Sequence, residues 1–249
     1  MKTLLLIIIV ISALSLTIYN AIAGNLPAQQ ILEHIDQIRA PSDNFTFHIH
    51  VRAHTRKGVT ENEFDVRVRE GKKSLVLYRK PADQVGRALL LDGDNMWIFI
   101  PGTSRALRIS PQQRLVGAVS NADVARISFH LDYEPEDDVI SEKLESEAVL
   151  KLRLVAKHKS ATYRKIELWF TRDQYHPVRA DFFSLSGKLL RTVEYQGYQM
   201  VLGKMRPMVL KITDALQPTN QAILTYSKFQ IKETPVEFFQ PAYLNRLSW

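Results

Sequence analysis

From Asn44 onward the apolar residues of this chain recur at every second position, and that period leaves few folds open. Phe45, Phe47, Ile49, Val51 and Ala53 fall on one side of an extended segment, with Thr46, His48, His50, Arg52 and His54 on the other. Side chains of a strand alternate between its faces, so this pattern marks a strand with one buried and one solvated side. Phe64, Val66 and Val68 against Asp65, Arg67 and Arg69 repeat it. Glu70-Gly71-Lys72 reads as a turn into 74–78. Residues 87–91, the Asp92-Gly93-Asp94-Asn95 turn and residues 96–100 read as a hairpin, with another strand at 105–109. Strand patterns resume near Val139 and over 148–156, 163–170, 178–183, 189–195, 208–213 and 222–231. Roughly a dozen short strands at close spacing predict an antiparallel barrel or sandwich.

Two regions depart from that period. Ala28, Ile31, Leu32, Ile35 and Ile38 recur at three- and four-residue steps, which predicts an opening helix with one apolar stripe. Pro27 suits its first turn and Ala40-Pro41 stops it. Over 111–129 the period is weak, and Leu115, Val116, Val119, Val124 and Ile127 are spaced like short helices. The expected fold is mainly β, with a helical cover.

Ahead of the helix, Lys2 and an apolar run over 4–16 lead to Ala21-Ile22-Ala23, the small-x-small pattern of a signal peptidase site. The run falls short of the roughly 20 apolar residues that span a bilayer, and its retention as an anchor is the alternative reading. Cleavage after residue 23 leaves 226 of the 249 residues, with a formal charge of +6 instead of +7. No linker divides 24–249, which reads as one domain. The chain has no cysteine. It therefore has no disulfide framework, and it lacks the lipidated cysteine that tethers bacterial lipoproteins. A soluble periplasmic protein held by its core alone is expected. The modest basic excess favours transient contact with membrane headgroups, while export argues against nucleic acid.

The motifs that suggest chemistry weigh less than their structural readings. His48, His50 and His54 share a strand face, and His-x-His can chelate zinc. That face is the solvated one, however, and no carboxylate lies near it in the sequence. Asp92, Asp94 and Asn95 resemble a calcium loop, but glycine falls second and Thr103 takes the twelfth place. Gly102-Thr103-Ser104-Arg105-Ala106 lacks the second glycine of a nucleophile elbow. Glu134, Glu136, Asp137 and Asp138 flank Pro135 in what reads as a solvated loop. Arg67, Arg69, Lys72, Lys73, Arg79 and Lys80 form the densest basic region, without the aromatic residues that stack nucleic-acid bases. No catalytic or metal-binding constellation emerges, and neither an enzyme nor a cofactor is expected.

The run from Lys80-Pro81-Ala82-Asp83-Gln84-Val85-Gly86-Arg87-Ala88-Leu89-Leu90 to Asp94-Asn95-Met96-Trp97-Ile98-Phe99-Ile100-Pro101 resembles the outer-membrane lipoprotein-sorting proteins of the LolA-like superfamily. The resemblance continues through Arg105-Ala106-Leu107-Arg108-Ile109-Ser110 and resumes at Tyr175-His176-Pro177-Val178 and Ser186-Gly187-Lys188-Leu189. The late strands and Phe238-Phe239-Gln240-Pro241-Ala242-Tyr243-Leu244 are also family-like. It is closer to the broader branch of the superfamily than to the dedicated lipoprotein carrier. The resemblance implies an incomplete antiparallel β-barrel whose open side is covered by helices, with an apolar cavity that accepts acyl chains of lipoproteins or related lipids. It also implies, as partners, inner-membrane exporters of the resistance–nodulation–division type.

On that footing the apolar phase of the early strands supplies the expected cavity lining: Phe45, Phe47, Ile49, Phe64, Val66, Leu75 and Leu77. Leu89, Leu91, Trp97 and Phe99 join them if the hairpin keeps phase. Leu115, Val116, Val119 and Val124 are the expected lid. A periplasmic carrier of lipidic cargo is the reading; an envelope sensor or adaptor is the alternative.

Overall fold

The structure is a computed structural model that describes residues 26–125, 128–159, 161 and 163–247. The expected signal segment 1–23 and Ile127 lie outside the described residues. Among those described, no helix is long and apolar enough to cross a membrane.

Helix α1 (Ala28–Arg39) buries the predicted stripe of Ile31, Leu32, Ile35 and Ile38. The Pro27 carbonyl accepts from the N–H groups of Gln30 and Ile31, and the helix closes where Ala40 donates to the Asp36 carbonyl. A meander follows: β1 (Phe45–Thr55), β2 (Gly58–Arg69), β3 (Lys73–Lys80), β4 (Ala88–Asp92), β5 (Asn95–Phe99) and β6 (Leu107–Ile109). The middle segment carries β7 (Arg114–Val116), β8 (Val119–Ser120), α2 (Asn121–Ala125), α3 (Phe129–Asp132) and β9 (Tyr133–Pro135). The second half holds β10 (Ile140–Leu144), β11 (Glu147–Ala156), β12 (Lys165–Phe170), β13 (Pro177–Phe183) and β14 (Leu189–Val201). It ends with β15 (Lys204–Asp214) and β16 (Gln221–Ile231), followed by 3-10 turns at Val236–Phe239 and Pro241–Arg246.

Fourteen of these strands form one antiparallel sheet in the order β10-β11-β12-β13-β14-β15-β16-β1-β2-β3-β4-β5-β6, with β9 against β11. The two halves of the chain join where β1 pairs β16, while among the described residues β10 and β6 are the edges of the sheet, each paired on one side. The result is the mainly β, half-open antiparallel barrel that the alternation and the resemblance led one to expect. Its concave face is covered by helices, with α1 packed against α3 and β15 and α2 against β3 and β4.

The middle segment is only partly helical. Leu115 and Val116 belong to a two-stranded piece, β7 with β8, instead of a helix. The turn between them needs Gly117, at φ +55°, because a Cβ there would meet the Ala53 Cβ at 2.7 Å.

The sheet buries both faces along β3 to β5. On the concave side Val76, Tyr78, Leu89, Leu91 and Met96 join the main core with α1. On the convex side Leu75, Leu77, Ala88, Leu90 and Phe99 pack under Phe239, Leu244 and Leu247 of the C-terminal tail. Strands buried on both faces read as continuous apolar runs, as Leu75-Val76-Leu77-Tyr78 does, so alternation does not reveal which side is which.

Candidate functional site

A cavity of about 590 Å³ lies between the concave face and α1, at the end where β1 and β15 begin and β14 and β16 finish. One wall is aromatic. Phe45 and Phe47 of β1 stack at 5.5 Å, and Phe47 stacks on Phe229 of β16 at 5.3 Å with rings 9° apart. Tyr226 closes this wall, 5.8 Å from Phe47. Phe229 lies three positions after Tyr226, a spacing that points side chains to opposite faces of a regular strand. Here both line the cavity, because the β1–β16 register shifts between Thr46 and His48 and Lys228 takes φ 55°. A β-bulge thus turns both rings inward.

The opposite wall comes from α1, α2, the start of α3 and strands β13 to β15. Phe182, Val193 and Leu210 give it an apolar part, beside charged and polar groups that include Glu33, Asp36, Arg39, Asp123 and Arg191. Arg191 and Arg206 tie the cover to the barrel. Arg191 of β14 forms a two-pronged ion pair with Asp123 of α2, both side chains being almost fully buried. Its guanidinium lies 4.8 Å from the ring centres of both Tyr163 and Phe182. Burial alone lowers an arginine pKa, but the Asp123 charge outweighs it and holds Arg191 above its usual value. Asp123 also accepts from the Ser120 backbone N–H at 2.7 Å and from its hydroxyl at 2.9 Å. This is the reaching-back arm of a capping box and fixes the start of α2.

Arg206 of β15, only 1% exposed, donates to the carbonyls of Gln37 (2.8 Å) and Ile38 (2.6 Å) at the end of α1, and to that of Val201 (3.0 Å). A cation there also complements the helix dipole. Arg39, at the end of α1, stands 4.8 Å over the Phe129 ring. Asp36, one turn earlier, accepts from the N–H groups of Phe129 (3.1 Å) and His130 (2.9 Å), the Ser128 hydroxyl (2.9 Å) and the His130 ring (2.8 Å). Burial opposes ionisation of Asp36, but the His130 bonds and the Arg39 charge prevail and hold its carboxyl below the ordinary range.

Of the expected lining, Phe45 and Phe47 form the cavity wall. Ile49, Phe64, Val66, Leu89 and Leu91 face the same side but are packed in the main core. Leu75, Leu77, Trp97 and Phe99 are on the other face, beneath the tail. The register explains the correction: Val66 pairs Val76 and Val76 pairs Leu89, so Leu75 and Leu77 point away from the cavity. In the next hairpin Leu90 pairs Trp97 and Ala88 pairs Phe99, which sends those rings outward too. Of the expected lid, Val119 and Val124 are buried in the core, with Leu115 and Val116 half-buried against it. That segment instead contributes Asp123 and Ala125 to the cavity.

The sequence reading missed Arg191 and Asp123. Their signals were present: Arg191 shares inward parity with Val193 and Tyr195, and Asp123 follows Ser120 at capping-box spacing. It also found no carboxylate near the histidines, whereas the β1–β2 register supplies them. His48 Nδ1 is 2.8 Å from Asp65, and His50 Nε2 is 3.5 Å from Glu61. Among the described residues, no group of three or more His, Cys, Asp or Glu is placed to hold a metal ion.

Fold and cavity define a class, the half-open antiparallel barrel whose concave face encloses a ligand-sized space under helices. Within that class, the chain belongs to the LolA superfamily. It is 34% identical to a LolA superfamily protein from Nitrosomonas europaea, with a TM-score of 0.81 over 88% of this chain and 100% of that one. A family model described only as an uncharacterized protein matches residues 70–246. The fold is shared with a putative outer membrane lipoprotein-sorting protein domain from Vibrio parahaemolyticus at 18% identity, TM-score 0.70, covering 88% of this chain and 96% of that one. A DUF1329 family protein from Desulfovibrio piger shares it at 18% identity and TM-score 0.72, covering 87% and 97%. Comparison with curated proteins returns no match.

Proposed function

We propose that the protein is a non-enzymatic carrier in the bacterial periplasm, holding an acyl chain of a lipoprotein or related lipid in the cavity beside Phe47. The cavity itself carries this reading, since its 590 Å³ falls within the range of roughly 300–1,000 Å³ typical of small-molecule sites. A methylene occupies about as much space as a water molecule, ~30 Å³, so the volume takes roughly 20 methylenes, which is one long acyl chain. Each buried CH₂ contributes about 0.8 kcal/mol in the cavity and about the same in a bilayer, so transfer is nearly balanced and small biases direct it. An adaptor needs only a surface patch and gains nothing from a recessed aromatic wall. Asp36, Asp123 and Arg191 act in caps and an ion pair, which is structural work. In this reading residues 24–249, freed of the signal segment, act as one domain. The partner class implied by the family, an inner-membrane exporter of the resistance–nodulation–division type, is the proposed source of cargo.

The test is native mass spectrometry with lipid extraction on protein purified from periplasm without detergent, followed by titration with a fluorescent fatty acid. An adduct carrying one acyl chain is expected, and Phe47→Glu should abolish uptake while Leu77→Ala, on the convex face, leaves it intact. A folded Phe47→Glu protein that loads normally would overturn the assignment.

A further inference from the structure

The hairpin of β14 and β15 runs beyond its neighbours at the cavity end of the barrel. β13 pairs β14 only as far as Glu194, and β16 pairs β15 only from Val209. Between those points the two strands pair only with each other, up to Val201 and Lys204. The tip of this arm is apolar and open to solvent, with Met200 67% and Leu202 44% exposed. The arm is not loose. Arg206, which pairs Gln199 two residues from the end of the ladder, is buried and grips α1, and Lys204 Nζ donates to Gln37 Oε1 at 3.2 Å. Lys204 and Pro207 of the arm also line the cavity, so the tip stands beside its mouth.

The antiparallel register brings further groups to this end. Ile231, 64% exposed, finishes β16. Exposed lysines at 72, 204, 228 and 232 outnumber the acids Glu33, Asp43 and Glu233, since Glu70 is held by Arg69. Single exposed apolar residues need no explanation, but two at the tip of a braced arm, beside a cavity with an aromatic wall and among lysines, match an interfacial anchor.

We infer that the β14–β15 tip is a bilayer-docking element: Met200 and Leu202 enter the interface of an anionic phospholipid membrane, with the lysines at its headgroups. This rests on the carrier reading and names the surface from which the cavity is filled or emptied. With the tip inserted, the mouth faces lipid, and an acyl chain passes between bilayer and cavity without crossing water.

The absence of cysteine allows single labels without background. Leu202→Cys and Leu185→Cys, each carrying an environment-sensitive dye, are mixed with phosphatidylethanolamine–phosphatidylglycerol vesicles. Leu185 is the control, being 81% exposed in the β13–β14 turn at the opposite end of the barrel. The dye at 202 should shift to the blue and the dye at 185 should not. In flotation with the same vesicles, Met200→Asp/Leu202→Asp should bind roughly tenfold or more weakly than wild type. Both substitutions lie where the arm pairs only with itself, so the fold is retained. Equal responses from the two dyes, no response from either, or unchanged flotation of the double variant would each refute the docking assignment. Fluorescent fatty-acid uptake is measured alongside: tip-dependent vesicle binding by a protein that takes up no acyl chain would uphold docking and sink the carrier reading.

Discussion

Replacing Asp123 with alanine tests how the cover is held. Arg191 is 5% exposed, lies between the Tyr163 and Phe182 rings, and depends on Asp123 for its two-pronged bond. Its Nε already has no hydrogen-bond partner, and without Asp123 the guanidinium keeps only the Ser120 hydroxyl, at 3.3 Å from Nη1, as a neutral acceptor. Removing one member of a buried ion pair typically costs about 3–5 kcal/mol, because a charge stays behind in a poorly polar site. The Ser120 N–H and hydroxyl lose their acceptor as well, adding about 1 kcal/mol for a lost cap. Against a total stability of about 5–15 kcal/mol for a protein of ordinary robustness, Asp123→Ala should leave the fold marginal. Removing both charges is a different matter: Asp123→Leu/Arg191→Met should fall within ~1 kcal/mol of wild type or exceed it. Urea unfolding followed by the fluorescence of the three tryptophans measures both, with midpoints compared at constant slope. A loss below about 1 kcal/mol for Asp123→Ala, or a double variant as unstable as the single, would refute the reasoning.

Asp36 gives a pH dependence. Its folded pKa is depressed, so its stabilisation is complete above the ordinary carboxylate value of about 3.9 and disappears as pH falls through the lower folded value. Asp36→Asn should flatten the acid limb of a stability–pH curve, and an unchanged limb would remove Asp36 from the account. Arg206→Met leaves the α1 carbonyls of Gln37 and Ile38 without their buried donor and should cost roughly 2–4 kcal/mol, with faster amide exchange in α1 than in β1. Uniform acceleration across the protein would contradict a local tie. Gly117→Ala forces a left-handed φ on a residue whose Cβ meets Ala53, and should cost about 1–3 kcal/mol by thermal unfolding; a neutral result would mean that β1 gives way easily.

How much of this was legible depended on whether one face of a strand met water. In β1 it did: the convex side carries His48, Arg52 and His54, so the alternation assigned Phe45 and Ile49 inward correctly. In β3 it did not. The C-terminal tail, far away in sequence, covers the convex face, and nothing local distinguishes Leu75 from Val76. The same cause misplaced Trp97 and Phe99. The aromatic wall was half visible, since Phe45 and Phe47 stand out, but Tyr226 and Phe229 reach it only through a bulge that breaks the period. The cover suffered from a third limit. A charged residue at an inward position reads as an exception to a pattern, and its partner cannot be chosen without the tertiary structure.

Those exceptions follow from what the cover must do. Hydrophobic burial is non-directional and favours closing every gap, so a helix held by apolar contact alone tends to settle onto the sheet and fill the space beneath it. Here α1 buries Ile31, Leu32 and Ile35, while its last turn stays over the cavity, fixed by Arg206 at its carbonyls and by Asp36 on the start of α3. The Arg191–Asp123 pair sets α2 in the same way. Hydrogen bonds specify distance and direction, so a few of them hold the cover in place without requiring the wall of Phe45, Phe47 and Phe229 to be packed shut. The buried polar ties and the open apolar wall are therefore one arrangement, in which directional bonds preserve a space that apolar packing would otherwise close.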